Sequence, residues 1–244
     1  MSSLRKPVPA FLIAWAVFGT ATLAPWLLRQ LGLSETLDAH RWLPHAVVKT
    51  VLAVLAIGLA IAGGAPRATL GLVRPADPRW RLVIGRGALL GALTTLLITV
   101  TPAQGLTFIL RDFGFAGMVL WVWIYSSLTE ELFVRGWFQP FLEVDDAPIV
   151  SRGRLSLSAR VLASGVLFGS LHLPLLAKGV DAWTVIIVVI ATTLLGVCAA
   201  LDRQRSGSLG PPLATHVAFN VGGVLAGIVI ALLTLAVTGH LPTP

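Results

Sequence analysis

Long apolar stretches constrain the fold of this chain more than any other feature of its sequence. A transmembrane helix needs roughly 20 mainly apolar residues, and about seven stretches meet that requirement. Their approximate centres are Trp15, Leu55, Leu93, Val122, Val166, Val188 and Gly227. Only 12% of the residues are charged, against about a quarter in soluble domains. Most of the chain must therefore lie in a lipid bilayer.

The length of these stretches predicts helices and not a β-barrel. A helix satisfies its own backbone hydrogen bonds in lipid, whereas barrel strands show an alternating pattern of about 10 residues. We therefore predict an all-α fold, a polytopic membrane helical bundle with about seven transmembrane helices, in a single integral-membrane domain over residues 1–244. Small residues four apart would let helices approach closely, and they occur in three pairs: Gly87 with Gly91, Gly165 with Gly169, and Gly223 with Gly227.

The basic residues predict an orientation. A net charge of +7 would suit nucleic acid, but these residues are scattered between apolar spans, so we expect no nucleic-acid partner. If the N-terminus, with Arg5 and Lys6, is cytoplasmic, most basic residues fall on that side. The opposite side then holds only Arg29, Arg41, Lys49, Arg111 and Lys178. We expect an inner-membrane protein with a cytoplasmic N-terminus and its C-terminus outside.

Three predicted spans contain polar residues that are costly in lipid. Ionisable groups inside a span cost a few kcal/mol each on insertion scales, so those present are candidates for function. The fourth span runs into Thr129-Glu-Glu-Leu-Phe-Val-Arg-Gly136, the fifth contains Phe168-Gly-Ser-Leu-His172, and the seventh opens with His216-Val-Ala-Phe-Asn220.

The spacing of these residues indicates which side chains share a helical face. Residues four apart lie on one face, so Glu131 can pair with Arg135, and His216 faces the same side as Asn220. Glu130 is left without a local partner and is the freer carboxylate.

Together these groups supply the parts that amide hydrolysis needs. Glu130 could take a proton from water, His216 and Asn220 could stabilise an oxyanion, and His172 could complete the cluster. Each residue also has a simpler interpretation. The glutamates could form only buried ion pairs with Arg135, Asn220 could only join helices, and a lone His is usually a packing residue.

The sequence resembles the CAAX-processing and bacteriocin-processing intramembrane protease family (CPBP), which includes the type II prenyl-protein endopeptidases. Three motifs carry the resemblance in order: Glu130-Glu131-x-x-x-Arg135-Gly136, Phe168-x-x-x-His172 and His216-x-x-x-Asn220. The resemblance implies an endopeptidase in which Glu130 activates water with help from His172. It also implies that His216 and Asn220 stabilise the oxyanion, and that Glu131 and Arg135 hold the geometry of the site. It divides the domain into N-terminal helices (1–112) and a protease-like catalytic core (113–236).

The cofactor and the functional class leave alternatives open. We favour no cofactor, but zinc is the alternative, with Glu130, His172 and His216 as ligands. No His-Glu-x-x-His helix supports it. The expected partners are the lipid bilayer and a membrane-associated protein or peptide substrate. The rival function is a non-catalytic transporter or immunity-type protein.

Two features fit the predicted site less simply. The charged insert from Glu143 to Arg154 is long for the family, and we interpret it as a tolerated solvated loop. If the fifth span begins near Ser158, His172 lies toward its far end, whereas His216 lies near the start of the seventh span. A shared site then requires tilted helices or different boundaries.

Overall fold

The computed structural model describes residues 7–63, 67–106, 108–144, 147–152 and 155–240. Arg5, Lys6 and Arg154, which contribute to the predicted orientation and to the charged insert, lie outside these ranges. Six helical segments in the described part are long and apolar enough to cross a membrane: Pro7–Gln30, Leu43–Ala62, Trp80–Thr99, Ala159–Lys178, Ala182–Ser206 and Gly210–Thr238. The predicted all-α membrane bundle is confirmed, and the expected count of about seven spans is close to the six found.

The elements follow one another as a chain of helices with one small hairpin. The α-helices are α1 (Pro7–Gln30), α2 (Ser34–Ala39), α3 (Leu43–Ala62), α4 (Arg67–Leu70), α5 (Trp80–Thr99), α6 (Phe108–Gly117), α7 (Ser127–Glu131), α8 (Gln139–Phe141), α9 (Ala159–Ser170), α10 (Ala182–Ser206) and α11 (Gly210–Thr238). The π-helices are π1 (Met118–Ser126) and π2 (Leu132–Phe138), and a 3₁₀ helix covers Leu173–Lys178.

The stretch predicted as the fourth span is helical but not uniform. Residues 118–141, hereafter the glutamate helix, run without a break through π1, α7, π2 and α8. Glu130 and Glu131 lie in the short α-helical piece between the two π-helices. Because π-helical turns are rare and concentrate at functional sites, this irregularity indicates that the segment is a candidate functional region.

The apolar side of the glutamate helix forms the centre of the core. Phe133, Val134 and Phe138 are fully buried, and Phe11 of α1 meets the ring of Phe138 edge to face at 5.5 Å. Trp137 is stacked between two phenylalanine rings of its own helix. Trp137 is therefore a buried packing residue.

The charged insert, predicted as a solvated loop, contributes the first strand of a short antiparallel pair. Strands β1 (Pro148–Arg152) and β2 (Leu155–Ser158) pair with Ser151 opposite Ser156. Ser158 then begins α9, since its side chain accepts a hydrogen bond from the amide of Val161 at 3.4 Å. This is the N-cap interaction that serine favours, and it confirms the predicted start of the fifth span.

Glycines bring four of the helices into close contact, as their spacing predicts. A Cβ atom on Gly87 or Gly91 of α5 would collide with the carbonyl oxygen of Thr215 or Phe219 of α11. A Cβ atom on Gly165 of α9 would lie 2.5 Å from Cγ2 of Val197 in α10. Gly227 differs, since a Cβ there would make only an ordinary contact at 3.8 Å. The α5 contact fixes the rotation of α11, and so the direction in which its next residues point.

Candidate active site

Glu131 and Arg135 form a buried ion pair within the glutamate helix. Nη1 of Arg135 donates to Oε1 of Glu131 at 3.2 Å, and both side chains are almost completely buried. Nη2 donates to the carbonyl oxygen of Gly196 at 2.9 Å. The guanidinium carbon also lies 4.5 Å from the ring centre of Phe168, a cation–π contact. The predicted pairing is therefore present, and it links the glutamate helix to α9 and α10.

Glu130 has a partner that its helical neighbours do not provide. Oε1 of Glu130 accepts a hydrogen bond from Nζ of Lys49 in α3 and another from Oγ of Ser126 at 2.8 Å. Along its own helix, Glu130 is bonded to Ser126 and not to a cation. The predicted lack of a local partner is therefore correct only for cations. Lys49 was assigned to the outer side of the membrane, but it lies inside α3. Within the span, the ionic contact with Glu130 stabilises this lysine.

His216 contacts both carboxylates. Its Nδ1 lies 3.0 Å from Oε1 of Glu131, and its Nε2 lies 3.8 Å from Oε2 of Glu130. Because a carboxylate oxygen accepts hydrogen bonds, Nδ1 is the donor in the shorter contact. His216 follows Thr215 on α11, whose backbone packs against Gly87 of α5. The next helical position therefore turns toward the glutamate helix.

His172 joins the cluster through an aromatic neighbour. It follows the end of α9 and precedes the 3₁₀ helix, and its Nδ1 lies 3.1 Å from the carbonyl oxygen of Phe168. The ring of Phe168 meets the imidazoles of His172 and His216 edge to face, at 5.5 Å and 5.3 Å. His172 also interacts electrostatically with Glu130. Phe168 thus contacts both histidines, which the sequence had indicated at different depths.

Asn220 faces the glutamate helix one turn after His216. Its Nδ2 donates to Oγ of Ser127 at 3.2 Å. This contact is the helix-joining interaction that was the simpler interpretation of Asn220. An amide nitrogen carries two hydrogens, so this contact uses one of them.

One comparison with known proteins found a family match. A sequence model of the family described as "Type II CAAX prenyl endopeptidase Rce1-like" matches residues 112–222. Over these residues the chain is similar to the CPBP protease family that its motifs resemble. No curated protein and no solved structure matched the chain.

The matched segment contains all six residues singled out from the sequence. They are Glu130, Glu131, Arg135, His172, His216 and Asn220. The structure brings them together from three parts of the bundle: the glutamate helix, the end of α9 and the start of α11. Residues 1–111 and 223–244 lie outside the match.

Sequence reasoning missed several residues around this candidate site. Lys49 contacts Glu130, and Ser126 and Ser127 each bond to a site residue. Phe168 was noted as part of a motif but was given no role. Lys49 did carry a signal, because it is the sole Asp, Glu, Lys or Arg in the 20 residues of α3. A single lysine in an apolar span requires a partner.

The residues of the site do not fit the zinc alternative. Within the described ranges, no group of three or more His, Cys, Asp or Glu side chains is placed to hold a metal ion. Oε1 of Glu130 already binds the ammonium group of Lys49, which competes with a cation for the same oxygen. We therefore derive no catalytic step through a metal.

Proposed function

We propose that this chain is an intramembrane endopeptidase that hydrolyses a peptide bond of a membrane-associated protein or peptide, using a water molecule activated by Glu130. The observation that carries the proposal is the contact of His216 with both adjacent glutamates inside the bundle. A buried cluster of this kind is costly in lipid, and such residues mark functional sites.

The first step uses the oxygen of Glu130 that faces His216. Oε2 of Glu130 accepts a proton from water while the water oxygen attacks the carbonyl carbon of the substrate. The 3.8 Å between Oε2 and Nε2 of His216 exceeds a hydrogen bond, and one water or one substrate oxygen can contact both atoms. His172, which interacts electrostatically with Glu130, assists this transfer.

The second step stabilises and then breaks the tetrahedral intermediate. When protonated, His216 gives one N–H to Glu131 and the other to the oxyanion, and the second amide hydrogen of Asn220 adds a further donor. The C–N bond then breaks, and the leaving amine takes the proton held by Glu130. Glu131 and Arg135 keep the site in position: Glu131 orients the ring of His216, and Arg135 holds the carboxylate of Glu131.

The substrate and the topology are part of the same proposal. The family description names a CAAX prenyl endopeptidase, so a C-terminal Cys-aliphatic-aliphatic-X peptide with a prenylated cysteine is the first substrate to test. The excess of basic residues on one side supports a cytoplasmic N-terminus in an inner membrane.

The proposal is tested with purified enzyme in liposomes and a quenched fluorescent form of that peptide. General base catalysis contributes about 10²–10⁴-fold to a rate, so Glu130→Gln should lower kcat by at least about 100-fold. The matched control is Glu35→Gln, the same chemical change on an exposed glutamate of α2, which should keep the wild-type rate. Wild-type turnover by Glu130→Gln at unchanged thermal stability would reject the mechanism.

A second arm tests the metal-free part of the proposal. The enzyme is dialysed against a chelator, and cleavage is measured before and after zinc is added back. We expect the same kcat in both samples. Loss of activity on chelation and recovery with zinc would instead assign the reaction to a metalloprotease.

A further inference from the structure

Lys49 links a helix outside the matched segment to the proposed catalytic centre. It is the seventh residue of α3, whereas the family match begins at residue 112. Its side chain is 12% exposed, as is that of Glu130. A lysine buried this far within an apolar span is retained only where a partner offsets the cost, and here that partner is the proposed base.

The contact distinguishes the two oxygens of Glu130. Oε1 is held from two directions, by Nζ of Lys49 and by Oγ of Ser126. Oε2 faces Nε2 of His216. A carboxylate held by one oxygen has little freedom to rotate, so the other oxygen keeps a fixed direction toward the site.

The other charges around Glu130 do not replace Lys49. Arg135 is paired with Glu131, which is itself a negative neighbour of Glu130. The imidazoles that interact electrostatically with Glu130 lie on α3, after α9 and on α11, and they are His45, His172 and His216. Within the described residues, the ammonium group hydrogen-bonded to Glu130 is that of Lys49.

We propose that Lys49 is a positioning residue of the reaction: it holds Glu130 as a carboxylate, with Oε1 bound to α3 and Oε2 directed at the attacking water. The inference rests on the proposed function. It also gives α3, from the part of the chain outside the family match, a place in the active site. Lys49 acts through Glu130 and has no direct contact with the substrate in this scheme.

The test compares kcat and KM of two Lys49 variants on the prenylated peptide in liposomes. Lys49→Met keeps the length of the side chain and removes its charge. Because loss of alignment by about 1 Å can cost about 100-fold, kcat should fall by about that factor while KM changes less than threefold. Lys49→Arg, which keeps the charge, should recover at least a tenth of the wild-type kcat. A Lys49→Met enzyme with kcat within threefold of wild type would overturn the inference.

A matched control separates positioning from the simple joining of helices. Thr50, the next residue, is hydrogen-bonded to the hydroxyl of Tyr125 at 2.6 Å and joins the same two helices without touching Glu130. Thr50→Val should retain kcat within threefold of wild type. If its kcat falls as far as that of Lys49→Met, the effect belongs to the helix contact and the inference is wrong.

A stability measurement covers the case in which Lys49→Met folds poorly. The single variant leaves Glu130 buried without its cation, so the double variant Lys49→Met/Glu130→Gln should melt at a higher temperature than Lys49→Met. A double variant that melts no higher would overturn the pairing. Failure of the proposed function gives a different result from failure of this inference. An active Glu130→Gln enzyme would reject both the catalytic role of Glu130 and the positioning role of Lys49. An inactive Glu130→Gln enzyme beside a fully active Lys49→Met enzyme would reject only the role of Lys49.

Discussion

Replacing Arg135 by Met should destabilise the protein far more than replacing a surface arginine in an ion pair of the same length. Arg135 and Arg41 each donate to a carboxylate at 3.2 Å. The two pairs differ in burial. The side chains of Arg135 and Glu131 are 0% and 1% exposed, whereas those of Arg41 and Asp112 are 64% and 22% exposed. The two pairs therefore match in distance and differ in burial; in addition, Arg135 bonds to the carbonyl oxygen of Gly196, and Asp112 keeps a second partner in Arg111.

The expected magnitudes follow from this difference in burial. Removing one partner of a buried pair leaves the other charge uncompensated and costs about 3–5 kcal/mol. For a chain of this size each kcal/mol lowers the melting temperature by about 2–4 °C, so Arg135→Met should melt about 6–20 °C below wild type. An exposed pair contributes about 0–1 kcal/mol, so Arg41→Met should melt at most about 4 °C below wild type.

The assay is thermal unfolding of both variants in the same detergent, followed by intrinsic tryptophan fluorescence. The double variant Glu131→Gln/Arg135→Met removes both charges and should recover part of the loss. If Arg135→Met and Arg41→Met lowered the melting temperature equally, the buried pair would not have the structural role assigned to it. A double variant less stable than Arg135→Met would contradict the charge argument specifically.

Two further predictions concern helix packing and pH. Gly91→Ala would push a Cβ atom into the carbonyl of Phe219 and should lower the free energy of unfolding by about 1–3 kcal/mol. Gly85→Ala on the same helix meets open space and should be neutral or stabilising. Equal losses in the two variants would refute the close approach of α5 to α11. Hydrogen bonds from the hydroxyl and amide of Thr184 hold the pKa of Asp181 below its ordinary value, so its contribution to stability is present above that ordinary value and is lost as pH falls through the lowered pKa. The melting temperatures of wild type and Asp181→Ala should therefore converge in a titration from pH 7 to pH 3, and a difference independent of pH would contradict this.

The membrane fold could be predicted from the sequence because its physical cause is local. Apolar stretches such as those around Leu55 and Val188 must form helices in lipid whatever surrounds them. The fourth stretch shows the limit of this reasoning. Hydropathy marks it as one span, but the alternation of π and α turns in residues 118–141 depends on packing against other helices, which no local pattern contains.

Within the site, the sequence predicted the contacts that follow from helical spacing. Glu131 pairs with Arg135 because residues four apart share a face, and His216 and Asn220 turn together for the same reason. The roles of these residues in catalysis stay predictions that Glu130→Gln and its control variant test. Ser126 was missed, although it is also four residues from Glu130, because a serine in an apolar span costs too little to stand out.

The sequence by itself determined that this chain is a helical membrane protein with acidic, imidazole and amide groups at fixed positions along its helices. Only the tertiary structure decided that Lys49, far away in the sequence, neutralises Glu130, and that Phe168 lies between the two histidines. The reason is that spacing fixes which residues of one helix share a face. Which face of another helix meets them depends on packing contacts such as those of Gly87 and Gly91, which only the assembled bundle defines.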